Sequence, residues 1–491
     1  MDGRVGFLIN ITVDPPCIPP QELTAKGFRR KSASGVSNPR PVEARLQKRK
    51  KEVIIFRLVK EEEKAMVRKK KEKKSKKKRK ISSDQISALK SIHEWVSLDY
   101  PPPPPSDDDF QVPKIHNLSE PLVFDLHSHS TCSDGFLSPS ALVQRAHRNG
   151  VKVLALTDHD TMAGIPEAVK AALKFGIRII PGVEISTVYF PRGESGAEEY
   201  VHILAYYGCC GPASFEELEH CLANIRDGRY LRAKNMLTKL NNLRMPLKWE
   251  HVMKIAGNGV APGRLHVARA MVEAGHVENV KQAFNRYLYD GGPAYASGSE
   301  PLAEEVVQMI CRTGGVAALA HPWALKNPVA VIRSLKTAGL HAMEVYRSDG
   351  KVEGFSDLAN DYDLLKLGGS DYHGRGGHDE SDLGSINLPV LVIHEFLKLA
   401  RPIWCNAMKD ILLSFAEEPS NSNLEKILRF GRIKNLNADI TLHHSEDVVD
   451  LCLSSWLTDE ERQAVEFEAL RQKLSHTAID QGGFQMSVTS R

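Results

Sequence analysis

The chain has 491 residues, 42% of them hydrophobic, and a formal net charge of +4 at pH 7, a length that suggests about three domains unless a single α/β barrel absorbs roughly 250 residues of it. No apolar run approaches the ~20 residues that cross a bilayer, the N-terminus lacks the apolar stretch of a secretory signal, and the eight cysteines are irregularly spaced without a C-x-x-C pair. Membrane insertion, a disulfide framework and a thiolate zinc site are therefore not expected, and the location expected is intracellular, cytoplasmic or nuclear.

Residues 1–118 read as a mostly disordered basic and proline-rich extension. It holds Glu61, Glu62 and Glu63, ten basic residues against one acidic in 69–80, a short helix over 84–96, and prolines at 101–105. Such segments bury too little apolar surface to offset the entropy of ordering them. The lysine-rich block accounts for more than the whole net charge, so the folded remainder is acidic and is not a general nucleic-acid binder. The block itself fits weak RNA contact or nuclear targeting.

From 119 to about 400 the pattern is that of a barrel. Three strand-like runs (122–124, 151–156 and 177–180) each lead into residues of metal-ligand type: His127, His129 and Asp134, then His159, then Glu184. Helical segments 138–149 and 163–175 separate them, each closed by a glycine, Gly150 or Gly176. Strands alternating with helices make βαβ units and a parallel sheet, whose sites collect at the strand ends. A further strand, 200–206, carries His202. Residues 208–300 then turn helical (215–241, 263–274, 280–288) and read as an inserted cap. The rhythm resumes with strand 316–320 ending at His321, strand 342–346, and strand 364–367 ending at Asp371 and His373. Residues 401–491 are polar, helical in pattern and without a chemical motif.

A His-x-His pair on extended backbone puts both imidazoles on one face, and closure of the sheet would bring the Asp371-x-His373 pair beside it. His127, His129, Asp134, His159, Glu184, His202, His321, Asp371 and His373 together exceed the four to six ligands of one ion, so two or three divalent ions are expected. Imidazole and carboxylate without thiolate suit Mn, Fe or Zn better than Mg. In the insertion Arg226, Arg229 and Arg232 recur every three residues, and Arg264 and His266 follow Pro262-Gly263 at a helix start. Both patterns suit phosphate. Asp158 and Asp160 are read as carboxylates that orient imidazoles. Cys132, His147, His276 and His378 carry no assigned chemistry.

The motifs Asp125-Leu126-His127-Ser128-His129-Ser130, Thr157-Asp158-His159-Asp160, Gly182-Val183-Glu184-Ile185-Ser186, Ala320-His321-Pro322 and Gly369-Ser370-Asp371-Tyr372-His373 resemble the signature of the PHP (polymerase and histidinol phosphatase) family over about residues 121–390. The resemblance implies an α/β fold, a distorted (βα)7 TIM-like barrel with an inserted helical cap, and three divalent ions, Mn foremost, on those nine residues. It is closest to the branch of 3',5'-nucleoside bisphosphate phosphatases, some of which trim short RNA from the 5' end. That implies hydrolysis of a 3'-phosphate by metal-activated hydroxide, with Arg226, Arg229, Arg264 and His266 on a nucleotide or short oligonucleotide substrate. The alternatives are a sugar- or histidinol-phosphate phosphatase and a non-catalytic RNA-associated protein.

Overall fold

The computed structural model describes residues 82–98, 122–191, 198–257, 259–352, 354–376, 380–430, 453 and 456–475, all within the unit Ile81–Arg491. The lysine-rich block, the proline run, most of the amino-terminal extension and His378 lie outside these residues. Among the described residues no helix is long and apolar enough to cross a membrane.

Seven strands form one sheet in chain order: β1 (Val123–Asp125), β2 (Val151–Leu156), β3 (Arg178–Tyr189), β4 (Glu199–Tyr206), β5 (Val316–Leu319), β6 (Ala342–Glu344) and β7 (Leu365–Leu367). Neighbours are parallel except around β4, which runs antiparallel to both β3 and β5. The ends of the sheet meet through a bridge between Ser128 and Tyr372, where the Asp371 N–H donates to the His127 carbonyl at 3.0 Å and the His129 N–H to the Tyr372 carbonyl at 2.9 Å. The sheet thus curls until the continuation of β1 lies beside that of β7.

Glu184 was expected at a strand end but sits in the middle of β3, because 183–189 continue as alternating β-formers that pair with β4 in a long hairpin. Strand reversal has a useful result: His202, early in β4, faces the same rim as residues that follow the parallel strands.

Each strand separates two apolar layers. In β2, Leu154 and Leu156 join the outer core with the flanking helices, whereas Val153 and Ala155 join the barrel interior. The outer helices include α2 (Pro139–Arg148) and α3 (Ile165–Phe175). The Ser138 hydroxyl caps α2 by accepting from the Ala141 N–H, and α3 ends on Gly176 in the left-handed conformation. The interior is narrow, with Ala155, Ala318, Ala320 and Ala342 facing it. Its far end is covered by α1 (Ser83–Ser97) and α11 (Val390–Glu417). Helix α11 runs unbroken past residue 400, where the sequence placed a domain boundary.

A third core belongs to the cap: α4 (Phe215–Asn242), α5 (Trp249–Ala256), α6 (Arg264–Glu273) and α7 (Val280–Ala283). Helix α4 joins two cores. Leu218, Leu222 and Ile225 pack on the barrel; Ala233, Met236 and Leu240 pack in the cap. The remaining barrel helices are α8 (Ala303–Arg312), α9 (Pro328–Ala338) and α10 (Phe355–Asp361). Helix α12 (Asn421–Leu428) follows α11, and α13 (Asp459–Arg462) and α14 (Val465–Ser475) complete the order.

Candidate metal centre

All nine residues picked out as ligands converge at the rim where β1 and β7 meet. The Glu184 carboxylate is their hub. Its Oε1 lies 2.8 Å from His202 Nδ1 and 3.0 Å from His321 Nε2, and its Oε2 lies 3.1 Å from both His127 Nε2 and His129 Nε2 and 3.3 Å from His159 Nδ1. Asp371 Oδ1 sits 3.4 and 3.3 Å from the same two nitrogens of His127 and His129. On the other side, Asp134 Oδ1 is 3.2 Å from His373 Nε2 and 3.9 Å from His159 Nε2.

The donor set fits divalent cations. Among the described residues three groups hold ligand atoms all within 4.8 Å of one another: His129, Asp134, His159 and His373; His127, His129, Glu184 and Asp371; and His159, Glu184 and His202. His129 Nδ1, Asp134 Oδ1 and His159 Nδ1 are buried without a hydrogen-bond partner, a costly condition that an ion would relieve. The nitrogens His127 Nε2 and His129 Nε2 face each other at 3.1 Å, which two N–H groups would not tolerate. Burial lowers the basicity of His129, but Asp371 and Glu184 more than offset it and push its pKa up to about 10. Burial opposes ionisation of Asp134 too, yet His373, His159 and His129 hold it well below the carboxylate range. Burial holds His159, by contrast, well below the ordinary imidazole range, so the rings of the cluster are not all protonated.

Strain marks the same place. Asp160, His321 and Asp371 adopt φ of 54°, 28° and 51°, a region L-residues visit at a cost of about 1–3 kcal/mol each. The surrounding network holds them there.

Two buried carboxylates anticipated as imidazole partners do something else. Asp158 accepts from the Ser130 N–H, the Ser130 hydroxyl and the Ser133 hydroxyl, each at 2.7 Å, and so shapes the loop carrying Asp134. Asp160 accepts from the Ser186 N–H at 2.7 Å and pairs with Arg229. The imidazole partner is instead Glu344, which the sequence reading missed. Its Oε1 lies 3.1 Å from His127 Nδ1 and its Oε2 accepts the His321 N–H at 2.7 Å. An acid closing the otherwise apolar run Ala342–Glu344 was the available signal.

A cleft of about 1010 Å³ opens from this rim beneath the cap. Asp134 and His159 line one part of it, and Arg226, Arg229, His266, Arg269 and Arg429 line others. Arg229 donates to the Ser186 hydroxyl at 2.7 Å beside its ion pair with Asp160, and Arg226 pairs with Glu219 and donates to the Asp160 carbonyl at 2.8 Å. Arg232 turns away to Glu300, and Arg264 pairs with Asp290 and is not among the lining residues. The Nδ1 of His266 accepts the Gly263 N–H at 2.9 Å, so its Nε2 carries the proton, and burial pushes its pKa down to about 4. Cys132 also lines the cleft, but burial raises its thiol to about 11 and keeps it protonated. His147 is exposed and His276 is half-buried with its Nε2 3.0 Å from the Pro246 carbonyl, and neither lines the cleft.

Comparison with known proteins now bears on this geometry. The model of the PHP domain matches residues 125–255. A 5'-3' exoribonuclease of Haemophilus influenzae is 36% identical over 257 residues, 51% of this chain and 89% of that protein. The chain belongs to the PHP family. Within it, a 3',5'-nucleoside bisphosphate phosphatase of Chromobacterium violaceum is 32% identical over 289 residues, covering 57% of this PHP chain and 94% of the relative. A solved structure from Bifidobacterium adolescentis, named a candidate metal-dependent phosphoesterase, is 30% identical with a TM-score of 0.49 and covers 56% of this chain and 96% of its own. By enzyme class this PHP protein is a phosphoric ester hydrolase.

Proposed function

We propose that the chain is a divalent-metal phosphoesterase that removes the 3'-phosphate of 3',5'-bisphosphorylated nucleosides. The observation that carries the reading is the single cleft joining the ligand cluster to cap cations, which suits a molecule with a phosphate at each end. The relatives named as a bisphosphate phosphatase and as exoribonucleases point to the same substrate class. The nine residues around Glu184 would hold the ions, Mn foremost, and such ions supply charge for phosphoryl oxygens and lower the pKa of water toward neutrality.

The chain's own part is positioning. Arg229, pinned by Asp160 and Ser186, presents a preorganised guanidinium, whose planar fork matches a phosphate. Neutral His266 donates from Nε2 without adding charge, and Arg269, stacked 4.6 Å from the Phe136 ring centroid, supplies a cation that makes no ion pair among the described residues. Arg264, engaged with Asp290, has no part in this clamp. A histidinol- or sugar-phosphate substrate would leave these cap groups unused.

The test is phosphate release from 3'-phosphoadenosine 5'-phosphate by the full chain, with histidinol phosphate alongside. Chelation is expected to abolish release and added Mn to restore it. His129→Ala should remain inactive at any Mn concentration, and Arg229→Ala should raise KM about tenfold or more, the scale of a lost charge-assisted phosphate contact. Release from histidinol phosphate alone would overturn the reading.

A further inference from the structure

We propose that the end of α12 gives the cleft a second, more distant anion subsite, built from Arg429 lying on Phe215, which favours substrates at least two nucleotides long. The inference rests on the reading of the cleft as a nucleotide site and extends it to what lies beyond the first residue.

Of the cleft arginines, Arg226 is paired with Glu219 and Arg229 with Asp160. Arg429 makes no ion pair among the described residues. Its guanidinium carbon instead sits 3.7 Å from the centroid of the Phe215 ring. The acids that act on it are Glu216, Glu425 and Glu219, none of them in the metal cluster, whereas Arg229 is under the influence of Asp160 and Asp134. Two of those three acids are committed elsewhere: Glu216 lies 3.9 Å from Lys426, and Glu219 holds Arg226. Arg429 is thus a half-buried cation without an ion pair of its own, its charge met by Glu425 and by acids that also serve Lys426 and Arg226, and it lines the cleft beside Phe215 and Glu219.

The setting is rigid. Phe430 is buried with its ring 6.2 Å from Phe215, and a Cβ on Gly211 would lie 2.5 Å from that ring. A guanidinium resting over an aromatic ring has fewer rotamers left to lose, keeps N–H groups for a phosphate, and can stack on a base. Volume agrees with the chemistry. Sites for small ligands run to roughly 1,000 Å³, so a cleft of about 1010 Å³ has room beyond one nucleotide.

The experiment compares steady-state hydrolysis of 3'-phosphoadenosine 5'-phosphate with that of an RNA dinucleotide phosphorylated at both its 5' and 3' ends, which carries one phosphate more, by the full chain and by Arg429→Ala and Arg429→Lys, with melting temperatures checked for each. In Arg429→Ala the ratio of KM for the dinucleotide to KM for the bisphosphate should rise about tenfold, through KM and not kcat, and Arg429→Lys should recover part of it. A ratio that stays constant in both variants overturns the subsite and leaves the phosphoesterase standing. A parent chain inert toward both substrates overturns the phosphoesterase reading and this inference with it.

Discussion

Five imidazole nitrogens face the one carboxylate of Glu184, and a carboxylate has about four lone-pair positions to give them. They cannot all be protonated donors, so the arrangement is coherent only with cations shared among the rings. Glu344 then matters because it fixes His127 from behind, through Nδ1, and so leaves Nε2 pointing at the cluster. Replacing Glu344 by Gln keeps the volume but weakens that hold. Metal affinity, read by titrating Mn into stripped enzyme, should fall about 10- to 100-fold, as is usual for groups that orient a ligand. His266 supplies a prediction of the opposite kind, about protons. Its folded-state pKa of about 4 lies below the ~6.5 of an unfolded imidazole. Between these values the unfolded chain binds more protons, so stability is full above 6.5 and is lost as pH falls toward 4. Urea midpoints measured from pH 7 down to 4.5 should decline less steeply for His266→Gln than for the parent.

At the scale of elements, the residues that converge at the rim were legible because they punctuate apolar runs: His127, His159, His321 and Asp371 each follow a stretch of strand-formers, and that pattern survives without knowledge of the fold. The β3–β4 hairpin was not legible. A strand reads the same in either direction, and only pairing across the sheet shows that β4 runs backwards and that Glu184 lies mid-strand. Nor did the arginine stripe disclose which members face the cleft; that depends on where Asp160, Glu300 and Asp290 sit in space. The meeting of the two sheet ends is equally a matter of space. A Cβ on Gly369 would lie 2.4 Å from both the Cβ and the backbone nitrogen of His127, atoms that cannot rotate away. Gly369→Ala should therefore force the rim apart, costing about 1–3 kcal/mol by denaturant melting and lowering bound Mn together with activity. Normal metal content with normal stability in that variant would mean the strands are less tightly joined than the contacts indicate.

Over the whole molecule, chemistry and stability are placed at opposite ends of the barrel. The candidate ligands occupy one rim, while the other is closed by a cluster in which Trp95 of α1 meets Trp404 of α11 at 6.4 Å and Trp456 at 5.6 Å between ring centroids. Arg178, buried at the start of β3, lies 4.4 Å from the Trp95 ring, so a charge is carried into the core with an aromatic face to receive it. Trp404 ties this plug to the sheet by donating from Nε1 to the Tyr206 carbonyl at 3.0 Å, at the end of β4 far from His202. Segments before and after the common family barrel therefore cooperate to floor it. Trp95→Ala removes a fully buried side chain and the aromatic face that receives Arg178, and should cost about 3–5 kcal/mol. Because the lesion is remote from Glu184, kcat per folded molecule at low temperature should stay near that of the parent while the melting temperature drops. A variant that instead keeps its melting temperature but loses turnover would mean that α1 is coupled to the rim, and that the two ends of the barrel are not independent.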